Sequence, residues 1–240
     1  LLVLGIIGLI LLFVKRRRTA VVFLVFAAIN LGIVAPIFFS GWSHEPQAAH
    51  VLRAMLLNVN TRLGNPELVK KAIRHYDPDI LVLEEISSKW VGDLKWLAES
   101  HPHSCIQSRE DNFGIGLFSK HPLVAPKIVY ISDDEIPSII ARVDSGYGSF
   151  SVVATHPLPP GGANYSRLRN DQLAAIPRHI PTNSPVILLG DLNVTPWNRH
   201  FVRLLKRSGL KDSSRGRGFQ PTWPNFSPLL LIPIDHFLYS

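Results

Sequence analysis

The chain has 240 residues, 46% of them hydrophobic and 18% charged, with a formal net charge of +7 and one cysteine. That length suits one globular domain plus a small appendage, and a single cysteine, Cys105, excludes an intrachain disulfide and a cysteine-rich zinc site. Four of the 25 Lys and Arg residues lie in the segment KRRR at residues 15–18, and all 18 acidic residues follow residue 40. The remainder therefore carries an excess of only three positive charges, which is not the basic footprint of a dedicated DNA-binding domain.

The appendage comes first. Residues 1–14 form an uncharged apolar run, KRRR follows, and residues 19–39 form a second uncharged run of 21 residues. At about 1.5 Å per residue the second run makes a helix of roughly 30 Å, enough to cross a hydrocarbon core. The first is short for a span, and because the chain opens on Leu1, further residues are expected upstream. A cleaved signal peptide with KRRR as its n-region is the alternative. Against it stand an apolar stretch longer than the usual stretch of about 7 to 15 residues, and the lack of a small-x-small cleavage site beside Ser40. Four cations between two hydrophobic runs stay in the cytoplasm, so the pair reads as a transmembrane helical hairpin with the rest of the chain on the far side, periplasmic or extracellular. Residues 41–50 read as a polar linker and residues 51–240 as the domain.

In the domain a strand at 52–57 leads through Gly64-Asn65-Pro66 to a helix at 67–75, where Leu68, Ala72 and Ile73 share a face. A strand at 80–83 follows Asp77-Pro78. Ser87 or Ser88 then caps a helix whose Trp90, Leu94 and Leu97 fall at i, i+4 and i+7, a core face. Strands follow near 115–119, 128–131, 139–143 and 150–155, separated by Gly, Pro and Asp turns. A helix at 165–179, a strand at 186–189, a helix at 199–208, a Gly- and Pro-rich loop at 216–228 and a strand within 232–240 complete the order. Cys105 reads as a buried small residue, not a nucleophile.

Chemistry gathers at the strand ends. After the apolar run 185–189, Gly190-Asp191-Leu192-Asn193 puts Asp191 and Asn193 on one side while Leu192 turns back to the core. By itself this is also an ordinary turn sequence. Four other apolar strands end in polar residues: Asn58 and Asn60 in VLRAMLLNVN, Glu84 and Glu85 in DILVLEE, His156 in FSVVATH, and Asp235 and His236 in IPIDHFLYS. The ordered set Asn, Glu, His, Asp-x-Asn, Asp resembles the endonuclease/exonuclease/phosphatase superfamily of metal-dependent phosphoesterases. With the phrases THPLPP, GDLN, TPW, QPTWP and IPIDH, residues 51–240 are most similar to its bacterial membrane-anchored members.

The resemblance implies a four-layer α/β sandwich, two stacked and mainly antiparallel sheets flanked by helices, behind the N-terminal transmembrane hairpin. It implies Mg²⁺ or Mn²⁺ held by Glu85, where relatives read Leu-Gln-Glu, with Glu84 the competing neighbour and Asn58 supporting the metal and its carboxylate. Hard oxygen ligands without a Cys or His cluster agree with that metal. Asp191 would orient or deprotonate the attacking water, Asn193 would hold the water or a phosphate oxygen, and His156 would donate to the phosphate. Asn60, Arg169 and Trp223 are candidates for binding substrate; Asn60 reads equally as a turn residue, and Arg169 and Trp223 as a solvated helix face and loop packing. In the family the strand aspartate, here Asp235, orients a histidine in a later Ser-Asp-His segment. The chain stops at Ser240 before any such segment, so a longer protein is expected, with the 240 residues alone showing little hydrolysis. His236 is the neighbour of Asp235 and points to the opposite face. The implied protein is a phosphoesterase at the bacterial inner membrane, acting on nucleic acid, phospholipid or inositol phosphate. Its partners are a phosphate-ester substrate and the lipid bilayer, with no protein partner implied. A noncatalytic membrane-anchored binding module is the alternative.

Overall fold

The computed structural model describes residues 2–39, 50–133, 135–224 and 231–240. The expected linker, apart from His50, and the end of the expected Gly- and Pro-rich loop lie outside these residues. The chain divides into two compact units, Leu1–Pro46 with Ser214–Gln220, and Gln47–Ser213 with Pro221–Ser240.

The first unit holds α1 (Leu2–Phe13), α2 (Arg17–Val34) and α3 (Pro36–Phe39). α1 and α2 pack side by side; a Cβ added at Gly8 would meet the Leu24 side chain at 2.8 Å, so the missing side chain permits the approach. Lys15 turns the chain between them at φ 59°. KRRR therefore occupies the turn and the start of α2. Cations at a helix N-terminus oppose its dipole, so these charges do not serve the stability of α2. The expected 21-residue helix is divided, because Pro36 has no N–H and its ring crowds the carbonyl four residues back. α2, with 18 residues, is long and apolar enough to cross a membrane, and no other helix among the described residues is. Val21, Val25, Phe26 and Ile29 leave apolar surface exposed along it.

The second unit contains β1 (Ala54–Asn58), α4 (Pro66–Tyr76), β2 (Ile80–Glu84), α5 (Ser88–Asp93), α6 (Leu97–Ser100), β3 (His103–Gln107), β4 (Ile115–Ser119), β5 (Leu123–Tyr130), β6 (Pro137–Asp144), β7 (Ser149–Thr155), α7 (Ala163–Ala175), β8 (Val186–Asp191), α8 (Arg199–Ser208), β9 (Lys211–Asp212) and β10 (Asp235–Tyr239). The helix expected from Ser87 is broken at Leu94, yet Trp90, Leu94 and Leu97 are all buried as their spacing requires. α7 gives way to a single 3-10 turn at Ile176–Arg178, where Pro177 ends the α-helix. β3 and β9 are strands that the sequence pattern did not announce. β3 is mostly polar (HSCIQ) and holds Cys105 half-buried, and β9 is two residues long.

Strand order is β1-β2-β4-β3 in one sheet and β5-β6-β7-β8-β10-β9 in the other. Among the described strand pairs only β1/β2 and β7/β8 are parallel. Alternation along the strands builds the layers. Ile80 and Val82 of β2 meet Val152 and Ala154 of β7 and Leu189 of β8 between the sheets. Leu81 and Leu83 turn outward onto Ile73 of α4 and Trp90 of α5. Val153 and Leu188 turn outward onto Leu173 of α7 and Phe201 and Leu204 of α8. The result is a helix–sheet–sheet–helix sandwich. Its parallel pairs deliver strand ends to a common edge: Asn58 lies beside Glu84, and Asp235, opening the antiparallel β10, lies across from Asp191.

Candidate active site

Two adjacent glutamates part company at the end of β2. Glu84 continues the inward face of Ile80 and Val82 and is fully buried between the sheets. Both of its carboxylate oxygens lie 3.2 Å from the Asp191 amide, which donates to them. Burial, then the charges of Asp191 and Asp235, hold its carboxyl well above the usual range. Glu85 leaves the strand in a left-handed conformation, φ 63°, and its side chain lines the cleft. The Asn58 amide donates to Glu85 Oε1 at 2.8 Å, Thr61 N–H donates to Oε2 at 3.4 Å, and the Thr61 hydroxyl donates to the Glu85 carbonyl at 2.8 Å. Asn58 thus steadies the carboxylate while its own Oδ1 accepts from Asn60 N–H. The Asn60 side chain accepts from Arg62 and Leu63 N–H, and its carbonyl accepts from the Trp90 indole. Asn60 closes a turn at the cleft edge.

Asp191 ends β8. Gly190 before it is required by close approach, since a Cβ there would stand 1.9 Å from the Thr155 carbonyl oxygen. Asp191 Oδ1 accepts from Asn193 N–H at 2.9 Å, and burial followed by the Asp235 charge pushes its carboxyl up to about 8. Asn193 turns at φ 50°; its amide donates to the Pro157 carbonyl, and its own carbonyl accepts from Arg169 Nη1, both at 2.9 Å. Arg169 is therefore a clamp on the Asp191–Asn193 turn that also borders the cleft. His156 is 3% exposed, with Nε2 3.9 Å from Asp191 Oδ2, Nδ1 without a hydrogen-bond partner among the described residues, and the Phe113 ring 5.6 Å away. Burial pushes its pKa down to about 4, so it is a neutral imidazole at neutral pH.

Asp235 faces the cleft with its carboxyl raised by burial, an effect opposed by a hydrogen bond from Thr222. The Thr222 oxygen accepts the Ile234 and Asp235 amides, which aims its hydroxyl at that carboxylate. His236, on the other face as alternation requires, sits 2.7 Å from the Val194 carbonyl and against Phe201.

All nine candidates, Asn58, Asn60, Glu85, His156, Arg169, Asp191, Asn193, Trp223 and Asp235, line one cleft of about 730 Å³. Sequence reasoning missed Thr222, Tyr165, Asn198 and the Asp111-Asn112-Phe113 loop, which line it too. Thr222 adjoins Trp223 in the phrase PTWP and was findable there. The Asp111 loop carries no signal beyond an ordinary turn.

Four carboxylates, Glu85, Asp111, Asp191 and Asp235, line the cleft against one cationic side chain, Arg169, among the described residues. A phosphate would be repelled from such a cleft unless a cation entered with it. No three His, Cys, Asp or Glu side chains among the described residues form a metal-holding group. One carboxylate steadied by an amide, with room for water, fits a cation such as Mg²⁺ that keeps several waters and takes one or two protein carboxylates.

Residues 55–240 match the Endonuclease/Exonuclease/phosphatase family. The chain belongs to that family. No curated protein sequence matches it. Among solved structures the family fold reappears in truncated TDP2 of Caenorhabditis elegans, at 16% identity over 79% of this chain and 84% of that one, TM-score 0.64. D. rerio TDP2 complexed with a single-strand DNA product is 17% identical over 78% and 83%, TM-score 0.65. The catalytic domain of human Nocturnin with bound sulfate is 18% identical over 79% and 82%, TM-score 0.63. At these identities the likeness is one of fold.

Proposed function

We propose that this family member is a membrane-tethered phosphoesterase that uses Mg²⁺ or Mn²⁺ to hydrolyse a phosphodiester or phosphomonoester outside the cytoplasm. The observation that carries the reading is the meeting of Asn58, Glu85, His156, Asp191, Asn193 and Asp235 in one acidic cleft from the ends of different strands. In this reading residues 1–40 are the anchor and 51–240 the catalytic domain, with α2 as the helix able to span. The position of KRRR argues for a periplasmic or extracellular cleft, and the resemblance to bacterial membrane-anchored family members argues for the bacterial inner membrane.

Glu85, held by Asn58, would bind the cation, which when bound supplies positive charge to the nonbridging phosphate oxygens. Asp191, whose raised carboxyl would ionise once a cation shares the cleft, would accept the proton of the attacking water. Asn193, fixed by Arg169 and Pro157, keeps the Asp191 turn rigid and faces the same space. His156, neutral, donates its one N–H to a phosphate oxygen. Asp235 orients the group that assists the leaving oxygen. Trp223 and Asn60 border the substrate.

The hydroxyl of Thr222 hydrogen-bonds Asp235 and so already occupies that carboxylate, which favours the second reading, a noncatalytic membrane-anchored binding module. Turnover of a generic phosphodiester by protein made from the complete reading frame, in Mg²⁺ and in EDTA, separates the two. Metal-dependent hydrolysis is expected; substrate binding without hydrolysis in either condition would leave the module. Protease added to spheroplasts should digest the domain if it lies outside, and protection would reverse the orientation.

A further inference from the structure

α8 carries Arg199, Arg203, Lys206 and Arg207 and no acidic residue. All four are exposed, opposite Phe201 and Leu204, which enter the core. Lys206 and Arg207 are in the last turn, where the helix dipole welcomes cations. Arg199 opens the helix, where the dipole opposes it, and Arg203 is central, so helix stability explains neither. Neither makes an ion pair among the described residues. They are instead crowded: His200 is held below its ordinary pKa by burial and then by the charges of Arg199, Arg203 and Arg169.

The crowding matters because of where it begins. Asn198, the N-cap of α8, and Arg169 both line the cleft, so the row of guanidinium groups starts at the cleft wall and leads away from it. Residues i and i+4 rise about 6 Å along a helix, comparable with the separation of adjacent phosphates in an extended strand. Exposed Trp197 stands beside Asn198, and Trp223, 52% exposed, lies on the cleft rim. Cations with accessible aromatic faces near them are a surface that a single strand can use, with phosphates on the cations and bases stacked on the rings. A headgroup or a free inositol phosphate would end within the cleft and leave the row unused.

We propose that Arg199 and Arg203 bind successive phosphates of a single-stranded nucleic acid whose scissile phosphate lies in the cleft. The substrate class is then a phosphodiester polymer. The proposal rests on the phosphoesterase reading of the cleft, but its test does not need turnover. Fluorescence anisotropy of a labelled oligothymidylate of about ten nucleotides, with phosphorothioate linkages that resist hydrolysis, is measured over a range of salt at fixed low Mg²⁺, with protein from the complete reading frame in zwitterionic detergent. The Arg199→Gln/Arg203→Gln protein should bind about tenfold more weakly at low salt, and the slope of log K against log[salt] should shrink by about 1.4, two contacts at about 0.7 each. Arg199→Lys/Arg203→Lys should keep the slope, which separates lost charge from misfolding. Hydrolysis of bis(4-nitrophenyl) phosphate in Mg²⁺ by the parent reads the cleft chemistry apart from strand binding. No oligonucleotide binding by the parent, or equal slopes for parent and Gln protein, would overturn the proposal. So would loss of binding to phosphatidylserine vesicles with oligonucleotide binding unchanged, which would make α8 a membrane contact. Absence of hydrolysis by the parent, with the slope change present, would sink the phosphoesterase reading and leave the strand site standing.

Discussion

Glu85, Asp191 and Asp235 meet at the cleft floor with Glu84 buried beneath it, whereas Arg199, Arg203, Lys206 and Arg207 stand in solvent on α8. Like charges are gathered in both regions, and the environment decides the consequence. At the floor water cannot screen them, so Glu84 and Asp191 resist ionisation, with Asp191 raised to about 8. On α8 water and salt dissipate most of the repulsion. The floor therefore demands a proton or a bound cation, and the helix offers a long-range attraction that salt can erase. A small net charge on the unit conceals both.

The comparison breaks most visibly at Asp191. Asp191→Asn in protein from the complete reading frame should lower phosphodiester turnover by about 10² to 10⁴ with an unchanged circular dichroism spectrum; undiminished turnover would return Gly190 to Asn193 to an ordinary turn. Glu84 comes next. Glu84→Leu strands the buried Asp191 amide and should cost about 1 to 3 kcal/mol in urea unfolding, while Glu84→Gln keeps an acceptor and should cost less than about 1 kcal/mol. Equal losses in the two variants would mean that the amide does not depend on this contact.

Stability against pH sharpens the contrast further. Asp191 holds its proton in the folded state up to about 8 while the unfolded chain releases it near 3.8, so its contribution declines as pH rises between those values. His156 is neutral when folded down to about 4 and ordinary at 6.5 when unfolded, so its contribution is complete above 6.5 and is lost as pH falls toward 4. The two slopes oppose one another from 4 to 6.5, and above that the raised carboxyls of Glu84 and Asp235 act in the same direction as Asp191. In EDTA, urea unfolding should show stability falling from pH 6.5 to 8, with about 2 kcal/mol as the most that Asp191 contributes, and saturating Mg²⁺ should flatten the fall. A metal-free rise over that window would contradict the assignment. Smallest of all, Arg203→Gln on α8 should change unfolding free energy by less than about 0.5 kcal/mol; a larger loss would give Arg203 a structural duty.

Much of this was legible because alternation along a strand is strict. Ile80, Val82 and Glu84 share the inward face, and Asp191 and Asn193 reach the same cleft across buried Leu192. The exit of Glu85 was less so, because it depends on a left-handed residue at the strand end that its neighbours do not require. Trp90, Leu94 and Leu97 declared a core face but not the break at Leu94. β3 was hidden because His103, Ser104 and Gln107 are polar where a half-buried strand usually alternates. The cations of α8 were countable, but an average over the whole unit cannot reveal that they begin beside Asn198 at the cleft wall.

The central claim, that the acidic floor is a divalent-cation site built on Glu85, is tested most directly by calorimetric titration of Mg²⁺ and Mn²⁺ into the parent protein and the Glu85→Gln variant. The account predicts saturable binding of either ion by the parent and clearly weaker binding by the variant, both folded by circular dichroism. Binding of equal strength in the two proteins, or none in the parent, would contradict it.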